Sequence, residues 1–255
     1  MSSWALVTGA TAGIGESFSR LLASHKYNIV LVARDLPRLQ ERAQGLEAKY
    51  GVKTHVIQAD LATDDGCLKV EKYIADNQID VLINNAGFGT NKAFTMSTLE
   101  IEQQLLDVLV RTPMRLMHVA LPSMKERNNG VIINVSSVAG YIAGGSYSAS
   151  KSYLTVLSES LNTELSATNV KVSALCPGFT RTEFHQRGRM KMKGLPSFMW
   201  LNADKLVAQS WKDAQAHQPV SVPGWQYKLL VAIVSIAPRK FVRNIGMNIR
   251  KKQRN

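Results

Sequence analysis

The feature that most constrains this chain is a series of short, β-branched, almost wholly apolar segments separated by helix-like stretches. Residues 4–9 (WALVTG), 28–33 (NIVLVA), 53–59 (KTHVIQA), 80–85 (DVLINN), 130–137 (GVIINVSS) and 170–176 (VKVSALC) are the segments. Strands that are apolar at successive positions bury both faces, which calls for a parallel sheet covered by helices on both sides. Helical patterning falls between them, over 20–24, 36–50, 67–77 and 97–127, and again from 146, where Leu154, Leu157, Leu161 and Leu165 recur at helical spacing. Strand–helix–strand repetition with right-handed crossovers predicts an α/β, doubly wound parallel sheet.

No repeat, low-complexity stretch or linker divides the 255 residues, and one domain of this class suits that length. The two cysteines, Cys67 and Cys176, offer neither a disulfide framework nor metal-ligand spacing, so no metal site is expected and a reducing, intracellular setting is. The first strand begins at Trp4, which leaves no room for a secretory leader before it. The apolar run 229–237 (LLVAIVSIA) falls short of the about 20 residues needed to cross a bilayer, and a cytoplasmic protein is the expectation. The net charge of +12 is uneven. Eight of the 31 basic residues and none of the 19 acidic ones follow Asp213, so the first 213 residues carry +4. Seven of the eight lie in 239–255 (RKFVRNIGMNIRKKQRN), which reads as a basic tail on a main domain over 1–238.

The strand ends carry the chemistry. The first strand runs into TGATAGIG (8–15), with three glycines at a strand-to-helix turn. Gly9 permits the tight turn, Gly13 lets a pyrophosphate approach the backbone, and Gly15 lets the helix pack closely; the free N–H groups of the helix start then face the phosphates. A plain glycine-rich turn is the alternative, and the position after the first strand favours phosphate. The second strand ends at Ala33 and is followed by Arg34, not by the acidic residue that holds the ribose 2′-hydroxyl of NAD. A guanidinium suits a 2′-phosphate, so NADP(H) is favoured and NAD(H) stays open. The neighbouring Asp35 complicates that reading unless it caps the next helix. Asp60 closes the third strand, placed to accept from an adenine amine. NNAG (84–87) closes the fourth as a small, hydrogen-bond-rich floor, with turn chemistry as the alternative for Asn84 and Asn85.

Taken together, TGxxxGIG, NNAG, Ser136-Ser137 after the fifth strand, Tyr147-x-x-x-Lys151 in GSYSASK (145–151) and PGFTRT (177–182) resemble the short-chain dehydrogenase/reductase family of the single-domain type, over residues 3 to about 182. The resemblance implies a Rossmann-type seven-stranded sheet in the order 3-2-1-4-5-6-7, a nicotinamide cofactor, and reversible conversion of an alcohol and a carbonyl, with assembly as a homodimer or homotetramer. It implies cofactor contacts from Thr8, Gly9, Thr11, Gly13, Ile14 and Gly15, from Arg34, Asp60 and Leu61, from Asn85, Ala86 and Gly87, and from Pro177, Gly178, Thr180 and Thr182. Tyr147 and Lys151 would serve both cofactor and catalysis, and Ser137 would orient the substrate oxygen. Elementary chemistry agrees for the reactive pair. A free phenol, with a pKa of about 10, is a poor base near neutrality. A nearby ammonium and an oxidised nicotinamide both lower that value. One helical turn puts Tyr147 and Lys151 on the same face, among small neighbours that leave room for ligands.

Two departures from the family pattern stand out. Leu109 occupies the place where the family usually has an Asn thought to support a water-linked proton relay through the Lys. Pro113, four residues on, has no N–H for the carbonyl of Leu109, so that carbonyl is left open and a kink at 109–113 is expected. Ser137 and Tyr147 are also only ten apart, about three fewer than in many members, which tightens the loop around Tyr141. The stretch of about 179–218 is expected to cover the substrate. Its Met190, Met192, Phe198, Met199 and Trp200 suit a bulky lipophilic carbonyl, with ordinary packing as the alternative. His185 receives no role. The tail suits a solvated helix, a partner contact or a peripheral membrane contact; without a nucleic-acid motif, its charge does not imply nucleic-acid binding. The expected function is an NADP(H)-dependent reductase of a lipophilic ketone or aldehyde. A cofactor-binding sensor or scaffold with little turnover is the rival reading, resting on Leu109 and the short loop.

Overall fold

A computed structural model describes residues 3–90, 92–184, 196–238 and 240–243. Seven parallel strands form one sheet in the order β3-β2-β1-β4-β5-β6-β7, as expected. They are β1 (Trp4–Thr8), β2 (Asn28–Ala33), β3 (Thr54–Gln58), β4 (Val81–Asn84), β5 (Gly130–Val135), β6 (Val170–Leu175) and β7 (Val220–Ser221). The first six sit where the apolar runs place them, within two residues at either end. The two-residue β7 carries no pattern of its own, and it becomes a strand through its pairing with β6.

The sheet separates two apolar cores, and alternation along each strand feeds both. Ala5, Val7, Ile29, Leu31, Val131 and Ile133 point to one face, beneath α1 (Gly13–Ser24), α2 (Leu36–Tyr50) and α7 (Ala203–Gln215). Leu6, Val30, Val32, Leu82 and Ile132 point to the other, beneath α3 (Asp64–Asp76), α5 (Thr112–Glu126) and α6 (Ser146–Glu164). This is the two-sided burial that continuous apolar runs require. A polar network lies inside it. Asn84 Nδ2 donates to Asn134 Oδ1 at 2.9 Å, and Asn134 Nδ2 donates to Ser158 Oγ at 2.9 Å, tying β4 and β5 to α6.

The long helix expected over 97–127 is broken. α4 (Leu99–Leu106) passes into a π turn over Asp107–Arg111 before α5 begins. The N–H of Thr112 reaches back five residues to the carbonyl of Asp107. Pro113 denies Leu109 its ordinary i+4 donor, so the distortion falls where a proline displaces it. The chain after Pro177 is well structured where described. α7 is capped by Asn202, whose side chain accepts from the N–H of Lys205, and packs through Leu206 and Val207. A further helix, α8 (Trp225–Ile236), follows β7. No helix among the described residues is long and apolar enough to cross a membrane. His185, Met190, Met192 and most of the basic tail lie outside the described residues.

Asn134 is fully buried, and its truncation strands the amide of Asn84 and the hydroxyl of Ser158. Asn134→Ala is expected to lower the unfolding free energy by about 2–3 kcal/mol in urea titration. A loss near zero would show that the network is dispensable.

Candidate active site

All the strands end at one edge of the sheet, and the crossovers leave in opposite directions from β1 and β4. A cleft opens there, as open parallel sheets require at such a switch point. Its volume is about 1160 Å³. The cleft is braced from below. Asn85 Nδ2 donates to the carbonyl of Thr8 at 2.9 Å and to that of Gly9 at 3.2 Å. Thr8 Oγ1 in turn accepts from the N–H groups of Asn85 and Ala86 at 2.9 and 3.0 Å. Gly9 has φ +65°, and a Cβ there would stand 2.8 Å from Asn85 Nδ2, so the turn needs glycine for both conformation and space. A Cβ on Gly15 would lie 2.3 Å from the carbonyl oxygen of Gly9, which places the start of α1 directly against the turn. Ala12 precedes that helix and provides no side-chain cap. The first N–H groups of α1 therefore lack a side-chain acceptor from their N-cap and suit an anionic group in the cleft.

Most residues singled out from sequence line this cleft. Gly9, Thr11, Gly13, Ile14, Arg34, Asp60, Leu61, Asn85, Ala86, Gly87, Ser137, Tyr147, Lys151, Pro177, Gly178, Thr180 and Thr182 do so. Thr8 and Gly15 do not reach its surface; they shape the turn beneath it. Arg34 is mostly exposed at the end of β2, with Nη1 3.9 Å from Asp60 Oδ2. Asp35 caps α2, its Oδ1 accepting from the N–H of Arg38 at 3.1 Å. The acidic residue that directly follows Arg34 is thus engaged by the helix through one oxygen. Asp60 Oδ1 accepts from the N–H of Ala62 and stiffens its own loop.

Across the cleft, Tyr147 lies in the first turn of α6, and Lys151 Nζ is 5.8 Å from the centre of its ring. Nζ also donates to the carbonyl of Val135 at 2.6 Å. Lys151 is buried, and that burial lowers its pKa to about 8. The two serines that follow β5 both border the cleft and differ in burial. Ser136 is buried, donates to the carbonyl of Lys151 at 2.7 Å and lies 2.7 Å from the hydroxyl of Thr155. Ser137 borders the cleft, with Oγ accepting from the N–H of Ala139. Tyr141 lines the shortened loop, where burial first and Cys176 second push its phenol up. Leu109 packs over Gly87, where a Cβ would be 2.8 Å from its Cδ2 and 3.9 Å from Lys151 Nζ. Beneath lies a second cavity of about 10 Å³, bordered by Asn84, Leu109, Thr112, Pro113 and Lys151.

Sequence reasoning missed one wall. The segment over 179–218 reaches the cleft through Phe179, Phe184 and Met199, while α7, in the same stretch, packs against α1 instead. A further wall comes from α8, beyond that segment, through Tyr227, Leu230, Val231 and Val234. Tyr227 is locked in place, its hydroxyl donating to the carbonyl of Met199 at 2.6 Å and accepting from the N–H of Phe179 at 3.0 Å. The signal available was the run LLVAIVSIA, which is apolar on every side of a helix.

Residues 3–193 match the family model described as short chain dehydrogenase. The chain belongs to that family. It is therefore an oxidoreductase that acts on an alcohol or carbonyl group with a nicotinamide cofactor. It is 28% identical to very-long-chain 3-oxoacyl-CoA reductase-A of Danio rerio over 261 aligned residues, covering 100% of this chain and 80% of that protein. It is 32% identical to 17-beta-hydroxysteroid dehydrogenase type 3 of Rattus norvegicus over 69% of this chain and 60% of that protein. Among solved structures, a short-chain dehydrogenase from Sphingobium yanoikuyae in complex with NADPH superposes with a TM-score of 0.84 at 29% identity, covering 92% of this chain and 96% of that one. The bulky-bulky ketone specific alcohol dehydrogenase from Comamonas testosteroni gives 0.78 at 28% identity, covering 93% and 95%.

The buried lysine of this family member has a consequence for stability. Between pH about 8 and 10.5, the unfolded chain holds a proton on Lys151 that the folded chain has lost. Stability contributed by this group therefore rises with pH across that window, by up to about 1.4 kcal/mol per pH unit. Urea unfolding of wild type and Lys151→Met at pH 8 and 10 checks this. The wild type is expected to gain on the variant as pH rises, and a constant difference would contradict the depressed pKa.

Proposed function

We propose that the protein is an NADP(H)-dependent reductase of a bulky lipophilic ketone or aldehyde, with Tyr147, Lys151 and Ser137 as its catalytic residues. The observation that carries the reading is the placement of Tyr147 and Lys151 on one face of α6, at the meeting point of two unlike parts of the cleft. One part is bordered by the glycine turn, Arg34 and Asp60. The other is apolar, bordered by Phe179, Phe184, Leu230, Val231 and Val234. The first fits a dinucleotide, with the start of α1 for the pyrophosphate and Arg34 for a 2′-phosphate; Asp35 borders the same part of the cleft, with Oδ1 engaged as a cap. The NADPH bound to the Sphingobium structure supports the same choice. The apolar part fits the bulky ketone, hydroxysteroid and long-chain oxoacyl groups in the names of similar proteins.

The nicotinamide, when bound, exchanges a hydride with the carbonyl carbon. Tyr147 gives its phenolic proton to the carbonyl oxygen in reduction and takes it back in oxidation. Ser137 donates a hydrogen bond that orients that oxygen. Below about pH 8 Lys151 is an ammonium, and its charge favours the phenolate left on Tyr147. The 10 Å³ cavity beside Lys151 is about the size of one water. Asn84 Oδ1 borders it and has no protein partner. Asn84 Oδ1, and the carbonyl of Leu109, whose i+4 donor Pro113 removes, are the acceptors we assign to the role that the family's Asn plays elsewhere. On this reading, proton supply to Lys151 runs through this cavity in place of the Asn that Leu109 replaces. Assembly as a homodimer or homotetramer is part of the proposal by family resemblance.

Tyr147→Phe removes only the transferable proton. It is expected to cut kcat with a lipophilic ketone by about 10²–10⁴-fold while NADPH binding, followed by fluorescence, persists. A variant with wild-type turnover would overturn the assignment, and wild-type protein that binds NADPH but turns over no ketone or aldehyde would favour the sensor reading. Arg34→Asp is expected to shift the ratio of kcat/KM for NADPH over NADH by about 10–100-fold toward NADH, the scale of one charge-assisted contact. An unchanged ratio would remove Arg34 from cofactor selection.

A further inference from the structure

α8 has two apolar faces. Tyr227, Leu230, Val231 and Val234 turn inward and form a wall of the cleft. Trp225, Leu229, Ile233 and Ile236 form a stripe on the outer face, and they are 72%, 55%, 46% and 87% exposed. At about 100° per residue these four fall within roughly one quarter of the helix circumference, opposite the buried side. Two further exposed aromatics extend the patch along the chain. Phe198 is 60% exposed beside the start of α8, where its carbonyl accepts from Gln226 Nε2, and Phe241 is 54% exposed just beyond the end of the helix. A helix that is apolar all round is ordinarily covered all round, so a patch of this kind marks a docking surface.

We propose that the outer face of α8 docks on an anionic lipid surface, lying in the headgroup boundary without crossing it. Charge selects this occupant. Lys228, Lys240 and Arg243 are exposed on or just after the same helix, and no acidic residue occurs anywhere after Asp213. Apolar anchors rimmed by cations match the interface of an anionic bilayer. A second copy presenting the same patch would bring like charges together, which disfavours self-pairing there. With 12 residues, α8 is too short to span a bilayer, which needs about 20, and suits lying flat. The same helix that docks is also the wall of the cleft, so docking sets the apolar part of the cleft beside the lipid. If the proposed function holds, lipophilic substrates reach the site from the membrane. The docking itself does not depend on that reading.

Flotation of the full-length protein with phosphatidylcholine vesicles, with and without phosphatidylserine, tests the proposal. The wild type is expected to float with the phosphatidylserine vesicles and to be released by high salt only in part, because apolar anchoring survives screening. The double substitution Leu229→Glu and Ile236→Glu alters two outward residues that do not line the cleft. It is expected to cut the vesicle-bound fraction by about tenfold or more, with NADPH binding and melting temperature retained as proof of folding. Failure of the wild type to float overturns the proposal. So does undiminished binding by the folded double variant, since the basic tail alone would then account for attachment. If the variant instead converts a wild-type dimer to a monomer in light scattering, with no vesicle binding by either, the face joins two copies and the proposal is likewise overturned.

Discussion

The interaction on which the site depends is the clasp between Asn85 and the end of β1. A parallel sheet whose crossovers diverge has a gap between its two halves, and a gap alone is only a crevice. Asn85 closes its floor by donating to the carbonyls of Thr8 and Gly9, while Thr8 Oγ1 takes the N–H groups of Asn85 and Ala86. Four backbone groups at the two strand ends thereby find partners, as a buried floor requires. The clasp also fixes the direction of the glycine turn, and with it the start of α1. Gly15 fits only because nothing projects from it toward Gly9 and Asn85. Thr8 and Asn85 thus act first on the shape of the protein, and on any ligand through that shape.

Lys151 presents the opposite problem. An ammonium buried to this extent is expensive unless it is hydrogen-bonded, and the carbonyl of Val135 at 2.6 Å meets part of that cost. The rest appears as the lowered pKa. Burial keeps the charge close to the Tyr147 ring and unscreened by bulk water, which is where a charge most affects a neighbouring phenol. Ser136, though buried, contributes by holding the carbonyl of Lys151 and steadying the turn of α6 that carries both groups. Leu109 adds a lid of hydrocarbon over Gly87 beside Nζ, so the residue that departs from the family pattern also helps dry the site.

The break between α4 and α5 shows how a single residue alters a long element. Apolar periodicity runs on through 97–127, whereas Pro113 points to the kink expected at 109–113. Pro113 is tolerated because it lies near the start of α5, where a missing donor costs least. The π turn before it absorbs the mismatch, bringing Leu109 against Gly87 and leaving a water-sized cavity next to Lys151.

By itself the sequence determined what depends on local backbone conformation and on periodicity. The strand runs, the turn that only glycine can make at position 9, the cap supplied by Asp35 to α2, and the one-turn spacing of Tyr147 and Lys151 are all properties of neighbouring residues, so they are legible in a line of letters. The strand order, in contrast, came from the resemblance of several motifs taken together, since no single run specifies its neighbour. Tertiary structure alone decided which late helix walls the cleft. The segment after Pro177 offered α7 and α8, both apolar on at least one side, and the choice between packing on α1 and facing the cleft depends on where β7 returns the chain. It also decided that α8 has two apolar faces but cover for only one, that Leu109 sits on Gly87, and that Lys151 is buried deeply enough to lose its proton near pH 8. Each of these depends on atoms far apart in sequence and brought together by the sheet, and desolvation is a property of that gathering, not of the residue.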